Sequence, residues 1–351
     1  MCIRDRSKWV IIMSISAKEL AQKLNVSAAT VSMVLNHKSG ISTVTKEKIL
    51  SGAKEYGFDL SRYYSYAESP QNICFINYKK TGKVVTDTPF FSELTEGISS
   101  ACKANNINLS INYIYGTQPV IPQLQFLDSQ ECSGILLLAT EMEREDFAPF
   151  LSLPYPLMIL DCYYDDLQLD TVLINNIQGA FLATTHLAHQ GFQKIGYLKS
   201  SQRIANFEER ADGYYKALRC SNIKKNSDYV LSLAPTMEGA YTDMQSYLSQ
   251  NTPLPEAYFA DNDLIAAGVM RALQEAGIRI PQDVSIIGFD DIPICSFLTP
   301  ALSTMSVQKH DLGVIAIEQL LNKLNTPSQT PIKLELSTRL VCRNSVLLKP
   351  F

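Results

Sequence analysis

"LAQKLNVSAATVSMVLNHKSGISTVTKEKILSGAKEYGF" runs from Leu20 to Phe58. Immediately before it, Ser16-Ala17-Lys18-Glu19 has the capping-box pattern, a hydroxyl at the N-cap and a carboxylate three residues on. A first helix follows, with Leu20, Ala21 and Leu24 on one face. Asn25-Val26 suits a tight turn, and Ser27 suits the cap of a second helix whose Val31, Val34 and Leu35 face inward. Residues 36–40 read as a loop. Ser42 or Thr43 can cap a third helix, with Val44, Ile49, Ala53 and Tyr56 on its apolar side and Gly57 at its end. Helix, turn, helix, loop and helix within roughly 45 residues make a helix-turn-helix unit. By periodicity alone, this pattern fits a DNA-reading head and also a three-helix cap without a DNA role.

The charge is uneven. The 351-residue chain carries a net charge of -4, and 46% of its residues are hydrophobic, so two or three compact units are expected. Between Met13 and Arg62, however, seven lysines and arginines face four acids, a net +3. A basic head on an acidic body fits nucleic-acid binding by one part only. No apolar run reaches the ~18 residues of a membrane span. The eight cysteines form no CxxC pair, and the four histidines (His186 and His189 included) form no ligand cluster, so reduced thiols and no metal are expected. Met1–Ile12 is set aside as a non-native or mis-assigned extension. Met1–Arg6 is what a transposon end used in library preparation would encode, with Met13 the natural start. "KWVIIM" is too short for a signal peptide, so a cytoplasmic location is expected.

Leu20–Phe58 resembles, along its whole length, the head of the lactose-repressor (LacI/GalR) family of transcription regulators. The matching residues are Ala21, Val26-Ser27, Thr30-Val31-Ser32, Val34-Leu35-Asn36, Ile41-Ser42, Thr45, Ile49 and Tyr56-Gly57-Phe58. The resemblance implies that the second helix lies in the major groove of double-stranded DNA. Ser16, Ser27, Thr30, Ser32, Asn36, Ser42 and Thr45 are then candidate DNA contacts, short polar groups suited to phosphates. Ala28, Ala29 and Met33 occupy the positions that usually face base edges. Met33 stands where the family commonly has Arg, whose bidentate grip on guanine discriminates by roughly 1–3 kcal/mol. The expectation is apolar contact with thymine methyls and weaker guanine preference; Ala28 and Ala29 also fit a role of merely permitting close approach.

The family's hinge pattern is nearly absent from residues 60–71. Ala67 stands for the leucine that wedges into the minor groove. Tyr63, Tyr64 or Tyr66 can replace the wedge, or the stretch is a flexible linker whose tyrosines pack on the body.

From Asn72 on, short apolar runs such as "ICFINY", "GILLLA", "KIGYL" and "VSIIGF" alternate with amphipathic stretches. The alternation predicts a doubly wound α/β body in two series, hence two parallel-sheet lobes with a cleft between them. "ADNDLIAAGVMRALQEAGIRIPQDVSIIGFDDI" (Ala260–Ile292), "PALSTM" (Pro300–Met305) and "CRNSV" (Cys342–Val346) extend the resemblance over the body, which the family shares with periplasmic sugar-binding proteins. The domains are then a head at 13–59, a hinge at 60–71, and an effector-binding and dimerisation body at 72–349. The N-lobe is expected at about 72–162 and 300–325, and the C-lobe at about 168–298 and 331–349. Crossings are expected near Asp161–Asp170, Phe297–Ser303 and Leu324–Ile332.

Chemistry and family position together single out Phe90, Phe91, Asp161, Arg210 and Asp263 for a small ligand. Rings offer stacking faces; carboxylates and guanidinium hold hydroxyls. Other roles stay open: core for Phe90-Phe91, a solvated strand end for Asp161, an interlobe ion pair for Arg210, and a helix cap for Asp263. Asp290-Asp291 are expected to serve the fold. No nucleophile elbow, phosphate loop or dinucleotide fingerprint occurs, so no enzyme and no cofactor is expected. The resemblance implies a homodimeric repressor that reads a near-palindromic operator, controlled by a small effector, a sugar or related metabolite, bound between the lobes. A solute-binding protein of a transport system is the alternative.

Overall fold

The computed structural model describes residues 15–35, 41–56, 58, 71–85, 89–129, 131–325 and 330–348. Asn36, Tyr63, Tyr64, Tyr66, Ala67 and the extension 1–12 lie outside the described residues. The chain divides into two compact units, Met1–Pro70 and Gln71–Phe351.

The first unit contains α1 (Ala17–Leu24), α2 (Ala28–Leu35) and α3 (Thr43–Glu55). The capping box is complete: the Ser16 amide donates to Glu19 Oε2 at 2.7 Å, and the Glu19 amide donates to Ser16 Oγ at 3.3 Å. Asn25 ends α1 in the left-handed region (φ 53°), where an Asn is tolerated, and so makes the tight turn. Ser27 Oγ accepts from the Thr30 amide at 2.9 Å at the start of α2. Leu20, Ala21, Leu24, Val31, Val34, Leu35, Ile49 and Ala53 form a buried core. Val44, expected inward, is 77% exposed. It precedes Ile49 by five residues, about 140° around a helix of 3.6 residues per turn, so it leaves the Ile49–Ala53–Tyr56 stripe.

The second unit is built on two six-stranded sheets. The first joins β1 (Asn72–Lys79), β2 (Asn108–Tyr115), β3 (Gly134–Leu138), β4 (Leu157–Leu160), β5 (Thr171–Ile174) and β11 (Lys333–Leu336) in the order β11-β5-β4-β3-β1-β2, all parallel. The second joins β6 (Ile195–Ser200), β7 (Val230–Leu233), β8 (Ala257–Ala260), β9 (Ser285–Asp290), β10 (Ser303–Ser306) and β12 (Arg339–Val341) in the order β12-β10-β9-β8-β6-β7. Among the described residues, only β12 runs antiparallel to its neighbour. Every residue of β3, β4 and β8 is buried, as expected for parallel strands covered on both faces. The covering helices are α4 (Pro89–Ala104) and α9 (Lys309–Asn325) on the first sheet, and α5 (Asn176–His189), α6 (Ala205–Cys220), α7 (Met237–Leu248) and α8 (Asp263–Glu275) on the second.

The lobe assignments need correction. β5, expected in the C-lobe, pairs with β4 and β11 in the first sheet, and β10, expected in the N-lobe, pairs with β9 in the second. β11 likewise joins the first sheet. The crossings therefore fall at about 175, 307–308 and 337–338, each just after a strand, and the stretch 161–170 stays within one lobe. A fully buried four-residue strand such as Thr171–Ile174 suits either sheet, and only its pairing partners decide.

α4 and α9 approach closely because each carries a glycine at the contact. A Cβ on Gly97 would collide with the His310 carbonyl oxygen, and a Cβ on Gly313 with that of Leu94. Gly97→Ala is expected to lower the stability of the second unit by about 1–3 kcal/mol through overpacking. Urea unfolding followed by fluorescence checks this; an unchanged midpoint would show that the helix pair can part at no cost.

Candidate functional site

In parallel sheets, ligands meet the carboxyl ends of the strands, and here residues following those ends converge between the lobes. Val84 comes after β1, Thr140 after β3 and Asp161 directly after β4. From the second sheet, Asn206 and Phe207 open α6 after β6, Asn262 follows β8, and Asp290 ends β9. With Phe90 and Phe91 of α4 and Arg210 of α6, they line one partly open cavity.

Arg210 is 4% exposed and held on several sides. Its Nε donates to Asn176 Oδ1 at 2.9 Å, and Nη1 donates to the Asp261 carbonyl. Nη2 stands 3.3 Å from Asp290 Oδ1, and the guanidinium carbon lies 3.8 Å from the Phe289 ring centre. Such a fixed cation over an aromatic face presents its charge without having to order first.

Asp161 is buried, with φ of 63°. Thr140 Oγ1 donates to its Oδ2 at 2.7 Å, whereas its Oδ1 has no hydrogen-bond partner. Burial pushes its pKa up to about 6, although Thr140, the Arg210 charge and Asn206 favour the ionised form. Asp290 also has positive φ, 109°, and burial raises its pKa against the pull of Arg210 and Lys309. Two acids in sparsely populated backbone conformations thus stand at strand ends on one cavity.

Phe90, Phe91, Asp161 and Arg210 are thus brought together. Phe90 is also part of the core, edge-to-face with Phe91 at 4.9 Å. Asp263 is not: it is fully buried away from the cavity lining. Its Oδ1 accepts from Thr304 Oγ1 at 2.6 Å and its Oδ2 from the Ile292 amide at 3.1 Å, so it braces β10 and the residues after β9. The preceding Asn262 caps α8, accepting from the Ile265 amide at 2.8 Å, and reaches the cavity. Asp290 and Asp291 divide as well. Asp291 serves the fold through Arg343 at 2.7 Å, but Asp290 lines the cavity. Asp290 ends the strand "SIIGFD" much as Asp161 follows "LMIL", so the rule that picked Asp161 also pointed to it. Nothing local marked Thr140, Asn206 or Phe207.

In the first unit, Ser16, Ser27, Ala28, Ala29, Ser32 and Ser42 are exposed, and Thr30, Met33 and Thr45 are half-buried. Ser27 with Thr30 (2.7 Å) and Ser42 with Thr45 (2.8 Å) form matching hydroxyl pairs. Ser16 is engaged in the capping box.

The family pattern described as bacterial regulatory proteins, lacI family, matches residues 16–59, and that of the periplasmic binding protein-like domain matches residues 184–346. The ribose operon repressor of Haemophilus influenzae is 32% identical over 332 residues, covering 94% of this chain and 98% of that one. The lac repressor dimer bound to operator and the anti-inducer ONPF has a similar fold, with a TM-score of 0.70 at 21% identity, over 95% of this chain and 99% of that one. A regulator from Enterococcus faecium with bound ribose aligns over 79% of this chain and 99% of that one, with a TM-score of 0.66 and 25% identity.

Because the folded-state pKa of Asp161 is raised, ionising it opposes folding. Its favourable contribution is full below its unfolded value near 4 and is lost as pH rises through about 6. Asp161→Asn cannot ionise. Its stability advantage over the parent is expected to open between pH 4 and 6 and level off on the order of 2 kcal/mol. Urea unfolding at pH 4.5 and 7.5 checks this; a gap that does not change with pH would contradict it.

Proposed function

The chain belongs to the lacI family of bacterial regulatory proteins, DNA-binding repressors that carry a ligand-binding domain, and on that premise we propose that its interlobe cavity takes a neutral, pentose-sized polyhydroxyl effector. The observation that carries this is the buried Asp161 Oδ1 on the cavity wall, an acceptor without a donor. A hydroxyl of the effector supplies that donor. Asp161 and Asp290 outnumber the guanidinium of Arg210, which is already engaged by Asn176, the Asp261 carbonyl and the Asp290 carboxylate, so a phosphorylated or anionic compound is disfavoured. Phe90, Phe91 and Phe207 offer apolar faces for ring carbons. D-ribose is the first probe, given the repressor of a ribose operon among the relatives and the ribose-bound regulator among the similar folds. The transport-protein reading is not favoured, because the relative covered over 98% of its length is a repressor and the head matches the regulatory family.

Contacts from both lobes let the effector select one lobe angle, and operator affinity follows with a coupling of about 1–3 kcal/mol. Arg210→Ala is expected to abolish the response of operator binding to the effector while the free protein still binds its operator. Mobility shifts with and without D-ribose check this; joint loss of both functions would count against the assignment of Arg210.

The head reads DNA through α2. Exposed Ala28 and Ala29 and half-buried Met33 meet base edges, and the hydroxyls of Ser27, Thr30, Ser32, Ser42 and Thr45 meet phosphates. Two heads on a two-fold axis read a near-palindrome, so the protein acts as a homodimer. Its second copy docks on edge strand β2, where Ile111, Tyr113 and Tyr115 are about half exposed. Selection from a random duplex pool is expected to enrich a near-palindrome without a required guanine opposite Met33. A strong guanine there would refute the apolar readout, and a lone half-site would refute the dimer. Tyr113→Asp is expected to turn a sedimenting dimer into a monomer.

A further inference from the structure

We propose that Glu141 is a positioning residue for the effector cavity: its carboxylate gathers the loop 80–85 and holds Val84 in place as cavity wall. The inference rests on the reading of that cavity as the effector site. Glu141 is 4% exposed and follows β3. Its Oε2 accepts from the backbone amides of Lys80 (2.9 Å), Thr81 (2.8 Å) and Gly82 (2.8 Å). Its Oε1 accepts from those of Val84 (2.8 Å) and Val85 (2.9 Å).

A carboxylate offers about four lone-pair sites, and five donors saturate it. Glu141 therefore has no capacity left for a ligand or a metal, and it does not line the cavity. The loop, in turn, has no strand or helix to take up these amides, and buried amides need acceptors. One side chain thus does for loop 80–85 what a ladder does for a strand. Gly82 (φ 68°) lets the backbone curl so that its amides point to one spot. A second tie holds the same loop from the same side: Lys80 Nζ reaches Glu143 at 2.8 Å and Asp146 at 3.0 Å. The neighbour of Glu141, Thr140, orients Asp161. Two consecutive residues after β3 therefore set two walls of one cavity, Thr140 by a hydroxyl and Glu141 by its carboxylate. The charge also fits the task. Burial works against the ionised form, yet the amides of Val85, Gly82, Val84 and Thr81 win and hold the pKa below the ordinary value.

Glu141→Gln keeps the size of the side chain but turns an N–H2 group toward the amide donors. The test compares hydrogen exchange and D-ribose binding in the full chain and in this variant. Exchange of the amides in loop 80–85 is expected to quicken roughly tenfold or more, with β6, β8 and β9 at parental rates, and ribose affinity is expected to fall by a similar factor. Glu141→Asp, which keeps the charge but shortens the reach, is expected to lie between the two and stands in if the Gln variant does not fold. Parental exchange in the loop would overturn the proposal. So would uniform quickening across both lobes, which means general destabilisation, or a loosened loop with parental ribose affinity. A parent chain that does not take up D-ribose would count against the effector reading instead, and the exchange comparison would still decide what Glu141 does.

Discussion

The second unit is organised around one buried guanidinium among buried carboxyl groups. A charge removed from water must find partners, or it costs several kcal/mol. Arg210 finds the Asp290 carboxylate, the Asp261 carbonyl, Asn176 and the face of Phe289, which come from different strands and helices of one lobe. The carboxylates around it lack an equal number of cations. Asp261 is satisfied by Tyr197 and by the Ser200 amide, and Asp263 by Thr304 and the Ile292 amide; burial still pushes each up to about 7. Asp161 and Asp290, which line the cavity, each keep an oxygen without a hydrogen-bond donor; that of Asp290 stands 3.3 Å from Arg210 Nη2. The polar groups that hold the lobe together and those that face the cavity thus lie side by side.

The two walls of the cavity are held in different ways. On the side of the second sheet, the functional groups are side chains fixed by neighbours in a packed core. On the side of the first sheet, a loop carries Val84, and a buried carboxylate substitutes for regular secondary structure. Loops set on rigid elements are where binding specificity resides, and a loop tied by side-chain chemistry can change shape without disturbing the sheet beneath it.

The head follows a different economy. Among the described residues its core holds nine buried apolar side chains, and its helix starts are fastened by short hydroxyls: Ser16 with Glu19, Ser27 with Thr30, Ser42 with Thr45. The same hydroxyls are the proposed phosphate contacts. Capping fixes their rotamers before DNA arrives, so less side-chain freedom is lost on binding. With Ala28, Ala29 and Met33 on α2, the proposed reading face has methyl groups and a thioether where long donors would stand, and its discrimination then depends on fit to base methyls and groove shape.

What the sequence determined by itself is local and periodic. The capping box, the turn at Asn25, the inward faces of α1 and α2 and the alternation of strand with helix follow from spacings of a few residues, and the family follows from motifs at fixed offsets. Four of the five proposed ligand-site residues line one cavity, which lies where the carboxyl ends of the parallel strands converge. Tertiary structure alone decided the rest. Thr171–Ile174 has no local feature that assigns it to a lobe; its hydrogen-bonded neighbours do. Adjacent residues separate just as sharply. Asn262 faces the cavity while Asp263 turns beneath it, and Asp290 faces it while Asp291 turns to Arg343. Chemistry can nominate a pair of polar neighbours, but a step of one residue at a strand end reverses the direction of a side chain, and that direction is set by packing across the whole lobe.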